Sequence, residues 1–529
     1  MYNGTISFTL EVSPQSPGRT NSSNSSAPDS RPAETTVTPP ATTLSIRDKA
    51  TPLTGGAAST VPRNKAELSP ILGNRTDPQL ALSDPTGNML HILLDYQDKL
   101  VEPLIRRALV KQLATTAHKF ITDIRDLPSE NTLFVAITTY ERTHAESTPM
   151  THFLLTHPGT ALANTYLIRK ALIRKHYLSL LMSNHLLKRP DSALGLNIRE
   201  SWGFEVDYAE FLDEALEECY ELRASLDANQ EKSRGRQREW WVLKPGMSDG
   251  GNGIRLFSTM EELRDIFKTW EEEKEQDGIE EDETIGYGDS DRGDGIMTSQ
   301  LRHFVAQKYV ERPLLIPGVH VGGERKFHIR TYVMAQGGLK VWVYREMLAL
   351  FASAAYAPPW ETDGAQKEVY LTNTAQAGVS AKHAVRAFWD LPGEGFGHGQ
   401  EWKEAVFTQI CRVTGEVFEA AAREMSVHFQ TVPNSFEVFG LDFLVDYSGV
   451  AFLLEVNAFP DFAKTGGFEN QGLGDRLVGG LWEGVVATGV KSFFKINDGY
   501  GRRPSRTFCE DAGSTCGMTK VLDIDLGRR

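Results

Sequence analysis

Three stretches of the chain combine residue types and spacings suited to holding a polyphosphate and a hard metal ion. The first runs Trp240-Trp241-Val242-Leu243-Lys244-Pro245-Gly246-Met247-Ser248-Asp249-Gly250-Gly251-Asn252-Gly253-Ile254. It reads as a short apolar strand, a lysine at the strand end, a glycine-rich loop and a second strand through Ile254 to Phe257. Glycines let backbone N–H groups approach phosphate oxygens, and a lysine at the strand end adds a positive charge. No Gly-Lys-Ser/Thr precedes a helix, so this is not the Walker arrangement. A glycine-rich hairpin can also be no more than a turn.

The second stretch, Arg325-Lys326-Phe327-His328-Ile329-Arg330-Thr331-Tyr332-Val333, alternates strictly. Phe327, Ile329 and Val333 point one way; Lys326, His328, Arg330 and Tyr332 point the other. It continues through Gln336-Gly337-Gly338-Leu339 into Lys340 to Glu346, a hairpin signature. A two-residue Gly337-Gly338 turn sets Arg330 opposite Arg345. Like charges directly opposite are destabilising, so the pair, with Lys326 on the same face, calls for an anion between them. Each charge-assisted hydrogen bond to such an anion is worth about 1.5–3 kcal/mol. Neutralisation at the surface by Glu324 and Glu346 is the bland alternative.

The third stretch, Val438 to Asp446, then Tyr447-Ser448-Gly449, then Val450 to Asn457, repeats the pattern with opposite sign. A Ser448-Gly449 turn places Asp442 opposite Glu455, and Asn457 shares the Glu455 face. Two carboxylates and an amide oxygen converging between apolar strands suit Mg²⁺, with phosphates and water completing the octahedron. A carboxylate pair left without a partner there would be costly. A raised-pKa acid/base pair is the alternative, but a metal also explains the amide.

The elements that must position these residues alternate between strand and helix, an α/β rhythm. Residues 12 to about 87 are rich in Ser, Thr, Pro, Asn and Ala, so disorder is expected over 1–87. Order begins near Met89, with a strand at His91–Leu94 and another over Thr132–Thr138. The pattern predicts a helix from Ala161 to Leu187 and an acidic amphipathic helix over 207–226. The first carries Arg169, Lys170, Arg174 and Lys175, with Lys188 and Arg189 just beyond it, and no acid between Ala161 and Pro190. In so acidic a chain such a face is a candidate anion-facing surface. Glu271 to Gly295 holds twelve acids against two bases, which reads as a solvated insertion. Strands are expected over 301–347 and 436–457 with a helix near 401–425 between them, and the last thirty residues read as a loose tail. The boundaries are 88–236 for an N-terminal α/β and helical domain, 237–330 for a central domain carrying the acidic insertion 271–295, 331–497 for a C-terminal domain and 498–529 for the tail.

Composition excludes several classes. The net charge of −14 disfavours broad binding to nucleic acid or anionic membrane. Four scattered cysteines without CxxC spacing argue against a disulfide framework or zinc site and fit a reducing compartment. No basic start followed by an apolar run marks a signal peptide, and no run is long enough to span a membrane.

Taken in order, these blocks resemble the tubulin-tyrosine ligase family of ATP-grasp enzymes, over roughly residues 89 to 495. Lys244-Pro245 with Gly251-Asn252-Gly253-Ile254 looks like the family's phosphate loop. Gln307-Lys308-Tyr309-Val310 and Pro313-Leu314-Leu315 look like its adenine-flanking hinge. Lys326 to Arg330, Tyr344-Arg345-Glu346, Leu371-Thr372-Asn373, Phe439 to Phe443 and Leu454 to Asn457 follow in the family's sequence. Arg169-Lys170 resembles an upstream pair whose lysine reaches the ATP. The wording of Trp240 to Asp249, Phe327 to Tyr332 and Glu455 to Phe462 is most similar to the fungal branch.

The resemblance implies an ATP-grasp fold with a small N-terminal α/β domain, a central lid and a C-terminal antiparallel sheet. It implies ATP and Mg²⁺ as cofactors, with the metal on Asp442, Glu455 and Asn457. ATP contacts fall to Lys170, Lys244, Gly251, Gly253, Gln307, Lys308, Tyr309, Val310, Lys326, Arg330, Thr372 and Asn373, and Lys326, Arg330 and Arg345 serve catalysis. The reaction would join an amino acid to a protein carboxylate through an acyl phosphate, with an acidic tubulin C-terminal tail as default acceptor. The alternative is an ATP-binding scaffold of low activity in a cytoplasmic ribonucleoprotein assembly such as the processing body. DNA and membrane are not expected partners. The resemblance departs at two substrate-facing positions: His328 stands where the family usually has an acid, and Leu350 where an arginine tends to follow Tyr-Arg-Glu.

Overall fold

The computed structural model describes residues 89–144, 149–248, 250–277, 303–362, 372, 384–393, 401–462, 471–496 and 514–526. The segment expected to be disordered, 1–87, lies outside these residues, as do Asn373 and the acidic stretch beyond Asp277.

Near the start of the described chain is a four-stranded parallel sheet of β1 (Leu90–Asp95), β2 (His118–Ile121), β3 (Phe134–Thr138) and β4 (Ala161–Ala163), in the order β2-β1-β3-β4. β1, β3 and β4 are short, mostly apolar buried runs, as expected where helices cover a parallel sheet, while β2 at the edge is mixed and only partly buried. Ala161 does not begin a helix, contrary to the pattern. Ala161–Ala163 are fully buried and extend the sheet, and the Asn164 amide closes the end by bonding the Thr138 backbone N–H and C=O, both at 2.9 Å. Helix begins only at Lys170–Ile173, breaks at extended Arg174, and resumes over Lys175–Lys188. The basic residues therefore do not share one face. Likewise the acidic helix over 207–226 resolves into short turns before Tyr220–Gln230.

A second, antiparallel sheet holds β5 (Ser201–Glu205), β6 (Trp241–Pro245), β7 (Arg255–Phe257) and β8 (His303–Lys308) in the order β5-β8-β6-β7. Helices Tyr220–Gln230 and Met260–Asp277 contribute Leu222, Leu226, Leu263, Phe267 and Trp270 to its apolar face. β5 precedes residue 237, so this sheet draws on chain from both sides of the boundary expected there.

The third sheet is the centre of the molecule. It contains β9 (Phe327–Gln336), β10 (Lys340–Tyr344), β11 (Leu348–Phe351), β12 (Val385–Ala387), β13 (Phe436–Val445), β14 (Ala451–Ala458), β15 (Ser514–Thr515) and β16 (Met518–Asp523). β9 runs through the boundary expected at residue 330, and both β9 and β13 are buried along their whole length. Period-two alternation sends Phe327, Ile329, Val333 and Ala335 to a core under helix Trp402–Glu424. Tyr332 and Met334 go to the opposite core, against helices Val101–Gln112 and Gln471–Val485. β16 corrects the expectation of a loose tail: Val341, Trp342 and Val343 offer β10 as an open edge, and Met518–Asp523 pairs with it antiparallel while Met518 is fully buried. No helix among the described residues is long and apolar enough to cross a membrane.

Candidate active site

One cavity of about 360 Å³ lies between the second and third sheets. β6 delivers Lys244 to it, β8 delivers Gln307 and Lys308, β9 and the residue before it deliver Lys326, His328 and Arg330, and β13 and β14 deliver Asp442, Glu455 and Asn457. The alternation read from the sequence accounts for the β9 set, whose even-numbered side chains all leave the helix-covered core.

Asp442 faces Glu455 and Gly440 faces Asn457 across β13 and β14. The Asn457 amide nitrogen lies 3.4 Å from one Asp442 oxygen and 3.3 Å from a Glu455 oxygen, so three side chains converge on one point. Turning the amide over presents its oxygen instead, an interchange that leaves the shape of the side chain unaltered. The set then offers hard oxygens only, which fits Mg²⁺. Among the described residues no group of three His, Cys, Asp or Glu side chains could hold a metal.

Arg330 does not face Arg345. Its guanidinium grips Asp442 with two hydrogen bonds, Nε to Oδ1 at 2.5 Å and Nη2 to Oδ2 at 3.0 Å, along the β9–β13 ladder that pairs these two residues. Arg345 lies outside the cavity. It donates to Glu404 through both terminal nitrogens and stacks over Trp389 at 4.1 Å. The turn explains the correction. Gln336 pairs with Lys340, so the loop is the three residues Gly337–Leu339, with Leu339 buried in the core. A one-residue slip sends each side chain to the other face. The chain then leaves the ladder after Val343 and rejoins it at Leu348 opposite Arg330, which puts Arg345 in the jog between β10 and β11.

The lysines carry the electrostatics. Lys244 and Lys326 are buried, at 9% and 7% exposure, and neither has an ion-pair partner among the described residues. Lys244 Nζ donates to Gln307 Oε1 at 2.7 Å, and Lys326 Nζ approaches the Tyr309 hydroxyl at 3.3 Å. Burial pushes Lys244 down to about 8 and Lys326 down to about 7, the latter helped by its neighbour Lys244. Burial alone would raise the Glu455 carboxyl, yet Lys175 and Lys244 hold it well below the usual carboxylate range. Two buried lysines with no carboxylate in ion-pair contact favour an anionic ligand beside them.

Gly250, Gly251, Lys308, Tyr309, Val310 and Thr372 also line the cavity, whereas Gly253 does not. The glycine loop has left-handed backbone at Gly250, Gly251 and Gly253, with φ of 72°, 81° and 70°. Lys170 is exposed on its short helix and is absent from the cavity wall. Lys175 takes the place expected of it, reaching Ser248 O at 2.7 Å and Glu455 at 3.5 Å. The sequence placed Lys175 on the anion-facing basic segment but assigned the ATP contact to Lys170; the helix break at Arg174 brings Lys175 to the cavity instead. Arg199 and Asp461 on the wall were missed; Arg199 belongs to no motif, while Asp461 lies in the Glu455–Phe462 stretch without having been assigned a role. His328 and Leu350 pair across β9 and β11 and both line the cavity. The His328 Nδ1 sits 2.5 Å from Thr372 Oγ1, and burial lowers the imidazole pKa, favouring the neutral ring.

Known proteins bear on this geometry. The sequence pattern of the Tubulin-tyrosine ligase family matches residues 176–474. A probable tubulin–tyrosine ligase of Schizosaccharomyces pombe is 41% identical over 64% of this chain and 79% of its own length. The probable tubulin–tyrosine ligase PBY1 of Saccharomyces cerevisiae is 41% identical over 58% of this chain, but the match spans only 41% of that protein. Among solved structures, the C-terminal domain of K. lactis Pby1 is similar at TM-score 0.56 and 32% identity, covering 82% of this chain and 99% of that domain. That domain is described as an ATP-grasp enzyme interacting with the mRNA decapping enzyme Dcp2. With an ATP-grasp fold and a family match over more than half its length, the chain belongs to the tubulin-tyrosine ligase family.

Proposed function

We propose that the protein is an ATP-dependent carboxylate–amine ligase that joins an amino acid to a protein carboxylate through an acyl phosphate. The observation that carries this reading is the pair of buried lysines, Lys244 and Lys326, which share one cavity with Asp442, Glu455 and Asn457. Cations from both sheets and hard-oxygen ligands from the third match the two halves of a metal–polyphosphate. Asp442, Glu455 and Asn457 would hold magnesium, which would supply charge neutralisation to the phosphates. Lys244, Lys326 and Lys175 bind phosphate oxygens, and Arg330 holds Asp442 in place through its two hydrogen bonds. Val242, Leu256, Leu444 and Leu454 form an apolar slot beside Tyr309 and Val310 for the base. The second sheet then acts as the lid, the third as the metal-bearing platform and the parallel sheet as the N-terminal part.

A protein acceptor is supported by relatives named as probable tubulin–tyrosine ligases, which makes an acidic tubulin tail the first acceptor to test. A second reading, an ATP-binding scaffold at cytoplasmic mRNA-decay assemblies, is favoured by the decapping-enzyme partner of the Pby1 domain and by His328 and Leu350 in the cavity.

Calorimetric titration of Mg-ATP into wild type, Glu455→Gln and Lys244→Ala tests the site. Binding in wild type and its loss in both variants is expected. No binding by folded wild type would overturn the ligase reading. Incorporation of labelled tyrosine, glutamate or glycine into tubulin-tail peptides then separates ligase from scaffold.

A further inference from the structure

The segment Asn457-Ala458-Phe459-Pro460-Asp461-Phe462 closes the metal-bearing strand, and its aromatic residues have no role in the site as described. Phe459 holds φ at 51°, in the left-handed region that a bulky side chain rarely enters. Such a conformation persists only where the surroundings over-determine it. Here the determinant is a ring: Phe459 stacks on Tyr96 with centroids 4.4 Å apart and planes 19° apart. Tyr96 directly follows β1 of the parallel sheet, is 3% exposed, and packs edge-on against Trp482.

The reversal at Phe459 seats the next three residues. Pro460 is buried against Gly440, where an added Cβ would stand 3.0 Å from the Pro460 Cβ and 3.4 Å from Arg330 Cδ. Phe459, Pro460 and Asp461 all stand on the cavity wall. Phe462 stacks on Tyr332, two residues beyond Arg330 on β9, at 5.1 Å. The chain after Asn457 is thus pinned at alternate points to the parallel sheet, to the Arg330–Asp442 pair and to β9.

From this arrangement we infer that Phe459 is a positioning residue for the metal ligands. Its stack on Tyr96 fixes the strand end so that Asn457 converges with Asp442 and Glu455, and it ties the parallel sheet to the metal end of the cavity. The inference rests on the proposed metal–nucleotide site and adds to it a wall residue that offers the ion no ligand atom and acts through its stack on Tyr96. Positioning groups around a metal typically change its affinity by about 10- to 100-fold when removed.

The test uses the full chain with ATP and Mn²⁺, whose free concentration is followed by electron paramagnetic resonance. ATP binding in excess chelator and the thermal midpoint are measured alongside. Phe459→Ala and Tyr96→Ala should each raise the Mn²⁺ half-saturation about tenfold, and Tyr96→Ala, whose ring is not on the cavity wall, should leave metal-free ATP binding unchanged. Phe459→Tyr, which keeps the stack, should restore the wild-type value. Phe459→Gly accepts the left-handed backbone but lacks the ring, and should remain weak. If Phe459→Ala does not fold, Phe459→Leu keeps apolar volume without the flat stack and is read the same way. Wild-type half-saturation in folded Phe459→Ala or Phe459→Leu would overturn the inference and leave the ligase site standing. Failure of the wild-type protein to bind Mn-ATP would overturn both.

Discussion

The two hairpins of the third sheet, β9–β10 and β13–β14, look alike in sequence and behave differently. Each reads as apolar strands joined by a glycine-containing turn, and each turn holds three residues rather than two. Gln336 pairs with Lys340 around Gly337–Leu339, and the Asp446 N–H bonds Val450 O around Tyr447–Gly449. The extra loop residue moves every partner by one. In β13–β14 a bulge between Asp442 and Phe443 returns that residue, so Asp442 faces Glu455 as a two-residue turn would have placed it. In β9–β10 nothing returns it before the chain jogs out of the ladder, and Arg345 is lost to the far side. A face assignment made along one strand therefore survives, while one carried around a turn depends on counting residues that a bulge can add or remove.

The contrast can be broken hardest at Arg330. Arg330→Ala leaves Asp442 buried without its partner, and chemical denaturation should register a loss of about 3–5 kcal/mol. Mg-ATP binding should disappear in the same variant.

The buried lysines come next. Lys244→Met or Lys326→Met should weaken Mg-ATP binding by about 10- to 100-fold, the worth of one charge-assisted contact, without destabilising the ligand-free protein. Their depressed pKa values also fix a pH dependence. Between the folded values, about 7 and about 8, and the unfolded value near 10.5, the unfolded chain binds more protons. Stability of the ligand-free protein therefore rises from about pH 7 toward about pH 10, and this rise should flatten in the double Met variant. Phosphate oxygens beside the amines raise both pKa values, so binding at about pH 8 should take up protons. Heats measured in buffers of different ionisation enthalpy will show it; buffer-independent heats would count against the pairing.

A finer comparison separates the two lysines of the interrupted basic segment. Lys175→Ala should reduce Mg-ATP affinity by about tenfold, whereas Lys170→Ala should leave it unchanged. The smallest effect belongs to Arg345, whose pair with exposed Glu404 is a surface ion pair. Arg345→Ala should cost no more than about 1 kcal/mol and leave nucleotide binding intact. Lost binding in that variant would reinstate the facing-arginine arrangement.

By itself the sequence determined the strands around the site in the second and third sheets (β6 to β10, β13 and β14), which face of β9 carries Lys326, His328 and Arg330, and the polar character of the Asp442, Glu455 and Asn457 group. These are local properties: alternation along a strand, glycine at turns and charge within an apolar run all act over a few residues. Tertiary structure alone decided where Lys175 points, because a break at Arg174 and the glycine loop beside it set its direction. It also decided that Arg330 serves Asp442, since β13 comes from more than a hundred residues away to lie beside β9. The strand at 518–523 was illegible for the same reason: its partner β10 is an edge that exists only once the sheet has formed. Side-chain faces follow from covalent periodicity, but partners across a sheet follow from register, and register is a property of the assembled chain.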